Sequence, residues 1–551
     1  MNRRLISLLA ALALSISFIP SSLATDADDQ QVLEMKQPGD GGWIGMTFEN
    51  AIDDYLPSRI YATNGKETPL SNEGLETILC KSLSDVDCLK DGYQLDYRAV
   101  LPQCLTAEQL DCIQSISAKL PDGTTSEGSV VRKWNAFSAY EGNAAVGIPS
   151  GGEQTTWKIP GSNPGGSDEY ALTAILQGRT GIINNGVIPR NNGYGFQINF
   201  KPIREVTGNY IEPKSSVGVK GGGRSLFTDT SANDKGCVIA ELNRCALAAT
   251  FNLDTQFTLK VRLSAQTSQW MHGRLNNPAV EVEDLSGSSK LLTVTANPVQ
   301  VPMVAGWVRW RDLPAAIQAK YPKGAGGTGG SPDAFTTSDL ANRILRVGMK
   351  AAGQEAIDDF KAWIPLLSDK PMAMRTMWSL RTIGNFDPSI QKCNKKGLSG
   401  LVTTNAAVYS DGPPSFDKAS QSLNYTVGAP HYDTADKVFS GVYSLIMNAE
   451  VARCIYGFGT APISAKIEIA SEDGSPSVAV TTLNQKDGWL RLSANGFHYS
   501  TPQIKVKLIE EKVVVAPAPK LKKTISCVKG KLIKKVTAFN PSCPKGYKKA
   551  S

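Results

Sequence analysis

Histidine is almost missing from this 551-residue chain, which has three. No Cys-x-x-Cys occurs either, so the common zinc sites, which draw on both residue types, are excluded. Gly-x-Ser-x-Gly, His-Glu-x-x-His and the Gly-Lys-Ser/Thr ending of a phosphate loop are all absent, which removes the familiar elbows, zinc proteases and P-loop enzymes. No catalytic residue, metal ligand or cofactor is therefore expected. Long apolar runs are also lacking. The longest, residues 5–19, is shorter than the roughly 20 residues a spanning helix needs. The C-terminus has no hydrophobic tail, and Leu120-Pro121-Asp122-Gly123-Thr124 has the wrong order and place for a sorting signal. No transmembrane segment is expected in the mature protein.

What the run at 5–19 does fit is a leader. Arg3 and Arg4 precede it, Pro20-Ser21-Ser22 follow, and Ser22 and Ala24 occupy the small positions of a cleavage site. Residues 1–24 read as a signal peptide cut after Ala24. No cysteine stands near the cut, so a lipid anchor is not expected. The destination is outside the cytoplasm, secreted or associated with the cell surface.

Ten cysteines are spaced to match that compartment. Cys80 with Cys88, Cys104 with Cys112, Cys237 with Cys245, Cys393 with Cys454, and Cys527 with Cys543 read as five disulfides between sequence neighbours.

The 527 residues after the leader suggest about three units. The fold class is mainly β: two β-sandwich-like regions with a small helical insertion and a C-terminal β-hairpin tail. Residues 25–130 read as an irregular, disulfide-pinned region that supplies edge strands. There Thr106-Ala107-Glu108-Gln109 resembles a capping box, opening a short helix through Leu110, Ile113 and Ile116. Residues 131–312 form the first sandwich. Phe257, Leu259, Val261 and Leu263 alternate with polar neighbours, as do 194–201, and 171–176 and 291–295 are further strands. Turns fall at Asn184-Asn185-Gly186 and 190–193.

Residues 313–390 carry the helical segment. Leu340, Ile344, Val347 and Ala351 share one helical face behind an N-cap at Ser338 or Asp339. Ile357, Phe360 and Ile364 share another, stopped by Pro365. The glycine-rich loop 324–330 reads as a connector. Residues 391–512 form the second sandwich, with alternation at 463–469, 489–492 and 504–508, and an Asp487-Gly488 hairpin turn. Residues 513–519 are a Pro/Ala linker, stiffened by Ala-Pro alternation.

Residues 520–551 lack Asp, Glu and Arg altogether and hold ten lysines. The whole chain carries +7; cleavage removes Arg3 and Arg4, and the tail's +10 leaves a body of −5. Charge is thus segregated. Strands 525–528 and 532–536 can pair through Lys529-Gly530-Lys531, stapled by Cys527 and Cys543. Lys522, Lys523, Lys529, Lys531, Lys534, Lys535, Lys545, Lys548 and Lys549 are the expected anionic-surface contacts, the partner being an anionic cell-wall polymer or lipid headgroups. With only Phe539 and Tyr547 as aromatics the tail has no base-stacking platform, so nucleic acid is not expected.

The stretch 522–531 continuing to Pro541-Ser542-Cys543-Pro544-Lys545-Gly546-Tyr547-Lys548-Lys549 resembles a C-terminal tail shared by exported actinobacterial proteins. Val451-Ala452-Arg453-Cys454-Ile455-Tyr456-Gly457-Phe458 and Asp487-Gly488-Trp489 resemble large exported proteins of the same bacteria. The resemblance implies compartment and taxon and brings no chemistry.

His431 with Asp433 can pair imidazole and carboxylate, but reads as a loop histidine; His272 and His498 read likewise. Asp85, Asp87 and Asp91 are close in sequence but do not complete a calcium loop. Trp307 and Trp310, three apart, face opposite sides of a strand and cannot form one sugar platform. The expected function is an exported, non-enzymatic envelope or surface-associated protein whose cationic tail docks to anionic envelope components. The alternative is a secreted hydrolase or carbohydrate-binding protein acting on polysaccharide, with glycans as partners.

Overall fold

The computed structural model describes residues 38, 42–48, 57–66, 72–134, 139–189, 195–211, 215–220, 222–228, 236–265, 270–320, 334–335, 344–349, 351–383, 388–393, 397–459, 463–470, 480–499, 503–510 and 521–550. The expected leader 1–24, the loop 324–330, the expected caps Ser338 and Asp339, the linker 513–519 and Lys520 lie outside them. The chain is mainly β and falls into two units: Met1–Gly457 with Ala465–Leu508, and Phe458–Ser464 with Ile509–Ser551.

The first unit is built on a sandwich. Gln256–Leu263 is buried at every second residue, as its alternation demands. It pairs with Cys112–Lys119 on one side and Lys290–Asn297 on the other. Asn276–Asp284 and Thr125–Glu127 complete this five-stranded sheet. A larger sheet faces it. Its ladders run Arg59–Thr63, Gln94–Val100, Glu169–Ile183, Gly195–Thr207, Ala373–Ile383, Trp270–Arg274, Gly400–Thr404, Ser440–Asn448 and Trp489–His498. Phe257, Leu259, Val261 and Leu263 share one core with Leu172, Leu176, Ile198, Phe200, Trp378 and Leu401 from that sheet. Each such fully buried side chain contributes about 2 kcal/mol of apolar burial.

The larger sheet runs through both regions that the sequence suggests as sandwiches. Its crossing point is the parallel ladder of Trp270–Arg274 with Gly400–Thr404. Ala373–Ile383, inside the expected helical segment, is a central strand of this sheet and is almost wholly buried. A strand covered on both faces has no alternation to betray it.

Two expected helices are strands. Cys112–Lys119 replaces the helix through Ile113 and Ile116. The register slips opposite Lys260 and Val261, so that Ser115 and then Ile113 face them and Gln114 is the extra residue. That β-bulge turns Ile113 and Ile116 to the same buried side. A three-residue spacing of apolar side chains therefore imitates a helix. The second case is Ile344–Met349, which pairs parallel with Trp43–Phe48. Its β-branched Ile344 and Val347 favour a strand where a partner is available, and Gly348 disfavours a helix. The helix Gln354–Trp363 does form, burying Ala356, Ile357, Phe360 and Trp363. At Ile364–Leu367, which includes Pro365, it tightens to a 3₁₀ turn.

Close approach explains four glycines. Gly45 stands opposite Trp307, Gly178 opposite Tyr97, Gly400 opposite Trp270 and Gly441 opposite Phe497. A Cβ on any of these glycines would come within 2.2–2.5 Å of the facing aromatic side chain. The aromatic side chain covers the bare backbone of the neighbouring strand, which seals the sheet and fixes its register. Two hairpins are closed as their residues require. Asn184 and Asn185 have φ of 52° and 55°, and Asp487 and Gly488 have 52° and 77°, the left-handed pairs of a two-residue turn.

All five expected disulfides are present: Cys80–Cys88, Cys104–Cys112, Cys237–Cys245, Cys393–Cys454 and Cys527–Cys543. Among the described residues no helix is long and apolar enough to cross a membrane.

Candidate anionic-surface interface

The C-terminal sheet forms from two short segments carrying β-branched residues, Thr524, Ile525 and Val528, then Ile533, Val536 and Thr537, on either side of a tight turn. Lys523–Lys529 pairs antiparallel with Leu532–Ala538, Lys529 standing opposite Leu532. The two-residue connection begins with Gly530 at φ 59°, a conformation that glycine adopts without steric cost. Lys548–Lys549 adds a third short strand, pairing Val528 and Cys527. The tail is thus a three-stranded sheet where the sequence suggests a hairpin. Cys527 is the single fully buried residue of 521–550, and its bond to Cys543 supplies the staple that so small a core needs.

Residues facing each other across a ladder share a face. Lys523, Lys529, Lys534 and Lys549 fall on the Cys527 face; Lys535 and Lys548 fall on the other with Val528 and Ile533. Lys531 is in the turn, and Lys522 and Lys545 lie outside the strands. All nine are exposed. The structure therefore brings the nine expected lysines onto one small scaffold, positive on both faces, and the segment itself has no Asp or Glu to neutralise them. Near an anionic surface each lysine contributes up to about 1 kcal/mol, weakened by salt. Lys522 also rests its ammonium 5.6 Å from the centre of the Phe539 ring.

In the first unit the weaker candidates are occupied locally. His431 Nδ1 lies 3.0 Å from the Tyr499 carbonyl, whereas Asp433 accepts from the backbone N–H groups of Ala435 and Lys437. The two do not pair. Asp85 accepts from the Lys81 and Asp87 N–H groups, and Asp91 from that of Asn185. These carboxylates cap turns. Trp307 ends a strand over Gly45, and Trp310 opens a 3₁₀ turn. A cavity of about 300 Å³ opens beside Leu398 and Trp489, rimmed by Asp284, Lys290, Asn448 and Asp487; Asp284 is ion-paired with Lys290.

A buried polar cluster had only His272 as its sequence signal. Met271 points into the sandwich, so His272 and Arg274 point to the other side of the strand. The His272 ring stacks on Tyr409 with centroids 3.9 Å apart. Arg274, 1% exposed, lies 4.8 Å from the same ring's centre and donates to the Thr404 carbonyl. Arg381 donates to the Tyr409 hydroxyl at 3.0 Å. Burial holds His272 well below the ordinary imidazole range, and Arg274 and Arg381 beside it act in the same direction. Burial likewise pushes the Tyr425 and Tyr443 hydroxyls up.

His272 thus stays neutral in the folded protein at a pH where the unfolded chain binds a proton. Stability attributable to it is complete above about pH 6.5 and falls by about 1.4 kcal/mol per pH unit below that, down to its folded pKa. In His272→Gln, urea unfolding between about pH 6.5 and 5 loses this slope relative to wild type. Parallel pH profiles for the two proteins would refute it.

No protein-family model matches this chain, and no curated protein matches it either.

Proposed function

We propose that this chain is an exported, non-enzymatic surface protein, held near the cell by its C-terminal lysine-rich sheet docking on an anionic envelope component. The observation that carries the reading is a disulfide-stapled segment, residues 520–551, with nine exposed lysines and no acid, following a chain that is net negative. The disulfides agree with an oxidising destination. Neutralising a basic tail requires charge of the opposite sign over an area the size of the sheet, which a wall polymer or a headgroup layer provides and a small molecule does not.

Deleting residues 513–551 is expected to release the protein from isolated envelopes at low salt. The full chain is released only as salt is raised, because screening shortens the reach of each charge to about 8 Å at physiological ionic strength. Bound and free fractions of both proteins across a salt series decide it. A truncated chain that stays bound like the full one removes the tail from the explanation.

A further inference from the structure

The lysines account for attraction to negative charge but leave Leu532 and Ile533 unexplained. These neighbours are 64% and 71% exposed. They follow the Gly530-Lys531 turn directly, Leu532 opposite Lys529 and Ile533 opposite Val528, so two large apolar side chains project from the two faces of the sheet at its tip. Lys529, Lys531, Lys534 and Lys535 surround them, all exposed. A soluble anionic polymer would satisfy the lysines and leave both apolar side chains in water. A bilayer surface covers both kinds of group: the apolar pair enters the boundary between headgroups and acyl chains, and the lysines stay level with the phosphates, their stems along the apolar layer.

We propose that the hairpin tip, residues 529–535, docks this chain on a bilayer carrying anionic lipid, with Leu532 and Ile533 inserted and the four lysines at the headgroups. This rests on the reading of the C-terminal unit as the docking element and narrows its partner to lipid.

The test uses the full chain from Thr25 onward. Vesicles of phosphatidylglycerol with phosphatidylcholine are one probe, and soluble poly-glutamate is the other, both at low salt. Leu532→Ser with Ile533→Ser is expected to lower vesicle partitioning by about 30-fold, while binding to poly-glutamate changes by less than about two-fold. Leu532→Ile with Ile533→Leu keeps the apolar bulk and binds vesicles like wild type. Both substituted positions are exposed, and absence of free thiol shows that Cys527–Cys543 is intact. A serine pair that binds vesicles as wild type does overturns the insertion and leaves the docking reading standing. Wild-type protein that binds poly-glutamate but not vesicles has the same consequence. Wild-type protein that binds neither overturns both.

Discussion

Phe200→Ala is expected to lower the unfolding free energy by about 4 kcal/mol, a roughly thousand-fold shift toward the unfolded state. Phe200 is fully buried between the two sheets of the sandwich. Its ring stacks on Tyr170 at 4.7 Å and meets Phe257 edge-on at 5.1 Å, Phe251 at 5.6 Å and Trp378 at 5.8 Å. Removing the ring forfeits its transfer energy, the edge contacts and the packing of four neighbours at once. The neighbours cannot close the gap. Trp378 is tied by its indole N–H to the Ala296 carbonyl at 3.1 Å, and the Tyr170 hydroxyl is 2.8 Å from the Ser162 hydroxyl. The cavity therefore persists, and its cost adds to the lost transfer energy. Phe200→Leu, which refills much of the space, is expected to cost less than half as much. Urea unfolding followed by circular dichroism measures both. A loss under about 1 kcal/mol for the alanine variant would mean that this aromatic cluster is not the centre of the core.

The residues around Phe200 also show what the sequence made legible. Strands with one wet face, such as Gln256–Leu263 and Trp489–His498, announce themselves by alternation, and both are where the pattern places them. The Asp487-Gly488 and Asn184-Asn185 turns are equally plain, because their conformation demands those residue types. Ala373–Ile383 was hidden by its own burial, and Cys112–Lys119 by a bulge that a single sequence does not display. The joining of two apparent sandwiches into one sheet depends on a parallel contact between residues 130 apart, Trp270 and Gly400. Nothing local encodes it except a glycine opening one strand and an aromatic in another.

The site divides in the same way. The lysines and cysteines of the tail were readable because composition alone marks them, with charge of one sign next to a cysteine pair. The exposure of Leu532 and Ile533 was not, since in the sequence they look like ordinary strand residues. The Arg274 cluster was hidden for a further reason: a buried guanidinium is recognised only by what surrounds it, and Thr404, Tyr409 and Tyr425 arrive from more than a hundred residues away.

Of the four bridges in the first unit, loss of Cys393–Cys454 is expected to cost most. Cys393→Ser with Cys454→Ser should lose about 4 kcal/mol, against about 2.5 kcal/mol for removing Cys80–Cys88, Cys104–Cys112 or Cys237–Cys245. The difference is the length of chain each bridge closes: 61 residues in the first case and eight in the others. In the folded protein the ends of the long loop are already held together. Gly400 pairs with Met447, and the Asn448 N–H donates to the Ser399 carbonyl at 2.9 Å. The bond therefore adds little order to the native state and removes a great deal from the unfolded one. Denaturant unfolding of the four double-serine variants ranks them. A Cys80/Cys88 variant as unstable as the Cys393/Cys454 one would break the loop-length argument. Taken together, the bridges contribute stability of the same order as the whole unfolding free energy of an ordinary domain, about 5–15 kcal/mol. A compartment that keeps thiols oxidised preserves that contribution and one that reduces them removes it, which is why the bridges agree with the proposed surface role.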